Sequence, residues 1–330
     1  MASIYLKRKG WVYVNFLFRR NQLHQELLAY VPENYRVLNH ESEETIFYAL
    51  FGKPYNYPST NTTEYTFLPF GKPYRVLQTP RLNSSHYIHI LSIVLSSTCD
   101  MENRNFIRSK TSTYRKNFRV HHIFALSSNE ECNADVAKEN EQFGDILQFS
   151  HMDSYRNISL SVLYAFQYLQ SQPLSIGYVF KTDSDCVVNY PLLLNTISKY
   201  ADRGEWLYMG NCHKNEHFNT RRSNQKNYVP YSVVGSTRLP AYASGGGYVI
   251  SYNLLPDLLI AMRHVNYLTH HEDVNVGKGM DLLHVECIDQ SAIWIARKGC
   301  WFSWTCLKKV IMHPQYSKSE IERFYSYVSE

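Results

Sequence analysis

The chain has 330 residues, 44% of them apolar, enough to build the core of one large α/β domain or of two smaller ones. Its 34 basic and 29 acidic residues leave a net charge of +5 without a long block of like charge, which argues against a nucleic-acid partner and leaves small anionic ligands open. No run approaches the length of a membrane helix: the mostly apolar WVYVNFLF (11–18) ends at Arg19 and Arg20.

Residues 1–85 are expected to form an irregular, stem-like lead-in. They are rich in Tyr, Pro, Asn and Thr, and they repeat FGKPY at 51–55 and 70–74 and YRVL at 35–38 and 74–77. Two short copies are too few for a solenoid, in which each unit buries a face against its neighbours.

Residues 86–330 alternate strand and helix patterns and are expected to form one domain. YIHILSIVLSS (87–97), RVHHIFALS (119–127), DILQF (145–149) and GYVFKT (177–182) read as strands. NISLSVLYAFQYL (157–169) places Ile158, Val162, Phe166 and Leu169 on one helical face, and Pro173 with Gly177 closes that segment. Such alternation predicts a parallel or mixed sheet covered on both faces, with ligands bound beyond the carboxyl ends of its strands.

FKTDSDCVVN (180–189) sits at one of those ends. Asp183 and Asp185, two residues apart, can face one ion while Ser184 points away. Oxygen ligands of this kind suit Mn²⁺ or Mg²⁺, ions that keep positions open for substrate phosphates. The alternative is an Asx-type turn in which one aspartate caps a helix beginning near Pro191.

Three later stretches bear on that choice. LPAYASGGGYVIS (239–251) carries Gly245, Gly246 and Gly247, either a plain turn or a place where backbone lies close to a ligand. HHEDVNVGKG (270–279) sets Glu272 and Asp273 beside two histidines, a pattern equally met at a solvated helix start. VIMHPQYSKSEIERFYSYV (310–328) presents His313 before a helix that Ser317 and Glu320 would close as a capping box.

Seven cysteines, at 99, 132, 186, 212, 287, 300 and 306, show no Cys-x-x-Cys spacing, and their odd number leaves at least one thiol over. With the sequons at Asn61, Asn83 and Asn157 they lean towards a lumenal location.

Taken in order, these stretches resemble glycosyltransferase family 31, the β-1,3-galactosyltransferase and β-1,3-N-acetylglucosaminyltransferase group, across roughly residues 74 to 328. IHILSIVLSS looks like the family's first strand, RNFIRSK (104–110) like its arginine helix, and ENEQFGDILQFSHMDSYRNISLSVLYAFQYL (139–169) like its acidic-to-helix motif. FKTDSDCVVN is similar to its metal motif, KNYVPYSVVGSTRLPAYASGGGYVIS (226–251) to its acceptor-side loop and glycine motif, and EDVNVG (272–277) to its Glu-Asp-Val motif. The chain departs from the pattern at Lys110, Thr111 and Asn227, which leaves donor-side packing and sugar preference open.

The resemblance implies a GT-A-like mixed α/β sheet sandwiched by helices. It also implies an inverting enzyme that moves a hexose or N-acetylhexosamine, galactose first, from a UDP-sugar to a glycan hydroxyl on protein or lipid in β-1,3 linkage. Asp183, Asp185 and His313 would hold Mn²⁺ or Mg²⁺, and Asp273, with Glu272 as its neighbour, would be the base. Arg104, Arg108, Lys181, Asp183, Ser184 and the three glycines would line the donor. Relatives are typically type II Golgi membrane proteins, so the Golgi lumen is expected, with membrane association only through an anchor missing from this sequence. The rival readings are a catalytically silent glycan- or partner-binding relative and a hydrolase using the same paired acids.

Overall fold

The computed structural model describes residues 75–82, 85–117, 120–200, 206–218, 224–231, 238–265, 267–290 and 311–312, all within one compact unit, 58–330. Strand β2 (Ile88–Leu95) is the β-branched run read from the sequence. It is buried on both faces, as a strand inside an α/β sheet must be. It pairs in parallel with β3 (Val120–Ser128) on one side and with β5 (Ile176–Asp183) on the other, and β4 (Ile146–Met152) extends the parallel set beyond β3. The direction then reverses: β8 (Tyr242–Ser251) runs antiparallel to β5, and β7 (Tyr208–His213) antiparallel to β8. With β9 (Ile288–Asp289) beside β7 and β1 (Val76–Gln78) beside β4, the strands lie in the order β1-β4-β3-β2-β5-β8-β7-β9.

Period-two alternation sorts the side chains between two helical layers. On one face, Ile90, Phe180 and Val249 pack with Tyr190, Leu193 and Ile197 of α4 (Tyr190–Ser198). On the same face, Val94 and Phe124 meet Ile107 of α1 (Met101–Asn117) and Val136 of α2 (Asn133–Phe143). On the other face, Leu91, Ile93 and Ile123 are fully buried, and the Ser127 hydroxyl lies 3.2 Å from that of Ser161 in α3 (Ile158–Ser171). Helix α3 also contacts α5 (Leu255–Met262) and α6 (Glu272–Leu282), and α6 packs on β8. The GT-A-like expectation of a mixed sheet between helices is therefore met.

The boundary at residue 85 needs correction. Val76 and Gln78 pair with Phe149 and Gln148, and the Arg81 guanidinium donates to the carbonyls of Glu141 and Gln142 at the end of α2. Residues 76–81 thus belong to the sheet domain, where they cover the edge of β4. The FGKPY repeats, Asn61, Asn83 and the capping box at Ser317 lie outside the described residues.

Disulfides join Cys99 to Cys132 and Cys212 to Cys287, and Cys186 is a buried free thiol. Among the described residues no helix is long and apolar enough to cross a membrane.

Candidate active site

Strand β5 ends at Asp183, and alternation puts Lys181 and Asp183 on one face of it. The turn that follows is tied to its neighbours through backbone. Ser184 N–H donates to Leu95 O at 2.8 Å, and Asn103 Nδ2 donates to Ser184 O at 2.8 Å. Ser184 therefore anchors the turn to β2 and α1. The aspartates do not cap the next helix: Asn189 Oδ1 accepts from Leu192 N–H at 3.0 Å, with Pro191 in the first turn.

Freed of that duty, Asp183 and Asp185 converge. Their carboxylates and the Cys186 thiol place ligand atoms within 4.8 Å of one another. Burial holds the Cys186 thiol well above its usual pKa, which leaves the two carboxylates as the charged oxygen donors of the group. Asp185 is exposed and Asp183 partly so, which leaves the pair accessible to an ion and its ligands. A hard divalent cation fits this oxygen set.

The second pair of acids opens α6. Glu272 is buried, which removes the solvated-helix-start alternative. Its Oε1 lies 2.5 Å from Lys181 Nζ, and its Oε2 accepts from the Tyr248 hydroxyl at 2.9 Å. Both oxygens are thus committed. Asp273 is partly exposed; its Oδ2 accepts from Gly245 N–H at 3.0 Å and its Oδ1 from Val274 N–H at 2.8 Å.

Lys181 lies between the two pairs. Fully buried, its ammonium donates to Asp183 Oδ1 at 2.8 Å, to Gly245 O at 2.5 Å and to Glu272 Oε1 at 2.5 Å, which uses all three N–H groups. Burial disfavours that charge, but Asp183 and Glu272 outweigh it and hold the pKa above the usual lysine range. One ammonium cannot neutralise three carboxylates. Burial pushes Glu272 up to about 7 against the pull of Lys181, with Asp273 and Asp183 adding to the rise. Burial raises Asp273 as well, opposed by Lys181 and by the N–H groups of Val274 and Gly245.

Four sequence expectations change here. Gly245, Gly246 and Gly247 lie inside β8, not in a turn. A Cβ on Gly245 would sit 2.6 Å from Glu272 Oε1 and 3.3 Å from Asp273 Oδ2, so acids, not a sugar, take that space. Gly246 O accepts from the Thr182 hydroxyl at 2.9 Å. The guanidiniums of Arg104 and Arg108, expected at the donor, are engaged by protein groups. Arg104 spends its guanidinium on Glu139, Ser96 Oγ, Ser97 O and Thr98 O, with no exposed surface. Arg108 is bound to Glu139, Asp145 and Asn105 beneath the ring of Phe143. Lys181 is too enclosed to touch a donor. His313 lies outside the described residues; β10 (Ile311–Met312), which precedes it, pairs with β6 (Val187–Val188) just after Asp185.

Two tyrosines that the sequence reading passed over belong to this site. Tyr248 holds Glu272 from the far side of Lys181. Tyr155 is exposed, with the Lys226 ammonium 3.8 Å from its ring centroid. Its partly buried phenol is pushed up first by burial and then by the charges of Asp273, Asp183 and Glu272.

A family model described as galactosyltransferase matches residues 102–291, a span holding all four acids and Lys181. The chain belongs to the galactosyltransferase family. Among curated galactosyltransferase-family relatives, it is 28% identical over 181 residues to lactosylceramide 1,3-N-acetyl-beta-D-glucosaminyltransferase A of Xenopus laevis, covering 53% of this chain and 46% of that one. It is 26% identical over 243 residues to human beta-1,3-galactosyltransferase 2, covering 68% and 57% respectively. It is 28% identical over 218 residues to the pig UDP-GalNAc:beta-1,3-N-acetylgalactosaminyltransferase 1, covering 62% and 63%. The chain spans about half the length of the curated relatives it matches. Among solved structures, the galactosyltransferase LgtC with donor and acceptor sugar analogs aligns at TM-score 0.41 and 11% identity, over 72% of this chain and 95% of that one.

Proposed function

We propose that this family member transfers a hexose or N-acetylhexosamine, galactose first, from a UDP-sugar to a glycan hydroxyl on protein or lipid, with inversion and in β-1,3 linkage. The observation that carries the reading is the pairing of Asp183 and Asp185 at the end of β5 with Glu272 and Asp273 at the start of α6, joined through Lys181. Leaving-group chemistry and proton removal need acids on two sides of one reacting carbon. A β-1,3 linkage and these sugars also accord with the activities for which the relatives are named.

Asp183 and Asp185 would hold Mn²⁺ or Mg²⁺, with His313 as a further ligand. When bound, the ion supplies Lewis-acid neutralisation of charge at the donor pyrophosphate. Asp273 takes the proton from the acceptor hydroxyl as that oxygen bonds to the anomeric carbon and the bond from that carbon to UDP breaks on the opposite face. Glu272 cannot share the role, because Lys181 and Tyr248 occupy its oxygens; it positions α6. The Golgi lumen suits such a reaction and accords with two disulfides.

The test is UDP release by the purified chain with Mn²⁺ and a panel of UDP-sugars, with and without acceptor glycans. Release that depends on acceptor is the expected result. Release to water alone would make the protein a hydrolase, and glycan binding without release would make it a silent relative.

A further inference from the structure

We infer that Lys181 is a positioning residue that sets the base against the ion-binding aspartates while restricting how Asp183 can bind metal; this rests on the assignment of Asp183 and Asp185 as clamp and Asp273 as base. The lysine bonds three separate elements: Asp183 at the end of β5, the Gly245 carbonyl in β8 and Glu272 at the start of α6. Gly245 N–H in turn holds Asp273 Oδ2, so two short routes, through Gly245 and through Glu272, lead from one ammonium to the base.

The same ammonium occupies one oxygen of Asp183. Among the described residues the second oxygen has no hydrogen-bond partner, and it remains for a cation. Lys181 thereby places a fixed positive charge beside the ion site and leaves Asp183 one free oxygen. Its removal has two opposite consequences. Asp183 regains an oxygen and loses a neighbouring like charge to the ion, so Mn²⁺ binding tightens. Asp273 loses its fixed relation to the clamp, and misplacement of about 1 Å costs on the order of a hundredfold in rate. A lysine that merely supported the fold would not split the two in this way.

Lys181→Met leaves Glu272 buried and unpaired, which threatens folding. Lys181→Met/Glu272→Gln removes that unpaired charge and is the variant of choice. With UDP present, Mn²⁺ binding is read by the loss of the free-ion electron paramagnetic resonance signal, alongside kcat and the melting temperature. The expected result is a folded double variant that binds Mn²⁺ a few-fold more tightly than the parent and turns over about a hundredfold more slowly; unchanged Mn²⁺ binding would overturn the restriction on Asp183. Parental kcat in that variant, or a parallel loss of Mn²⁺ binding and kcat, would overturn the inference. If both lysine variants fail to fold, Glu272→Gln alone loosens the other end of the bridge: kcat should fall with Mn²⁺ affinity intact, and unchanged kcat would overturn the inference. Full transfer by Asp185→Ala and Asp273→Asn would instead remove the underlying assignment of clamp and base.

Discussion

A Cβ at position 245 would lie 2.6 Å from Glu272 Oε1, so the absence of a side chain in β8 is what admits the opening acids of α6 to the sheet. Both contacts at risk belong to the site: the Gly245 carbonyl accepts from Lys181, and its N–H donates to Asp273. Gly245→Ala should therefore cost about 1–3 kcal/mol of stability by overpacking. It should also lower kcat by about a hundredfold through displacement of Asp273. Thermal unfolding and steady-state kinetics check this; a variant with parental kcat would show that α6 can shift without consequence.

Asp185 and Asp273 should fail in different ways. Asp185 is exposed, so Asp185→Ala should leave stability within about 0.5 kcal/mol of the parent. Binding of Mn²⁺ and UDP should collapse, as calorimetric titration would register. Asp273→Asn should keep that binding and lose about a hundredfold to ten-thousandfold in kcat, the usual worth of a positioned base. It should also lose about 1–3 kcal/mol of stability, because an amide cannot accept from both Gly245 and Val274 N–H groups. Loss of UDP binding in Asp273→Asn would move this residue to the donor side.

The protonation of Glu272 makes stability depend on pH with a defined sign. Its carboxyl titrates near 4.5 in the unfolded chain and at about 7 in the fold, so the folded state holds this proton more tightly. The resulting stabilisation is complete below 4.5 and is lost as pH rises through about 7. Glu272→Gln lacks the proton and the dependence. Melting curves over about pH 4 to 8 should show the parent losing stability relative to that variant as pH rises. A constant difference would mean that Lys181 keeps Glu272 ionised throughout.

Arg104 should prove to be structural. Arg104→Met strands part of the buried Glu139 charge and should cost about 3–5 kcal/mol in urea unfolding. Arg104→Met/Glu139→Gln should recover most of that loss. The UDP affinity of the folded double variant should match the parent; a tenfold loss would return Arg104 to the donor site.

Much of this protein is legible in its sequence because periodicity reports burial. The β-branched run at 88–95, the strands at 120–128 and 176–183 and the helix at 158–171 each carry a pattern that one secondary structure satisfies and others do not. Position in such a pattern also puts Asp183 at a strand end and Glu272 at a helix start. What local sequence leaves open is which groups a side chain spends its hydrogen bonds on. The resemblance of RNFIRSK to a family helix placed Arg104 near a nucleotide, but the partner that consumes its guanidinium, Glu139, stands 35 positions away. Adjacent Glu272 and Asp273 are equivalent carboxylates by local chemistry. They diverge because Lys181, 91 residues before Glu272, and Tyr248 claim one, while the backbone N–H groups of Gly245 and Val274 hold the other, which stays partly exposed. The order of β5 and β8 in the sheet makes those meetings. Burial and charge pairing therefore had to be decided by tertiary structure, whereas the strands, the helices and the residue types of the site were determined by the sequence itself.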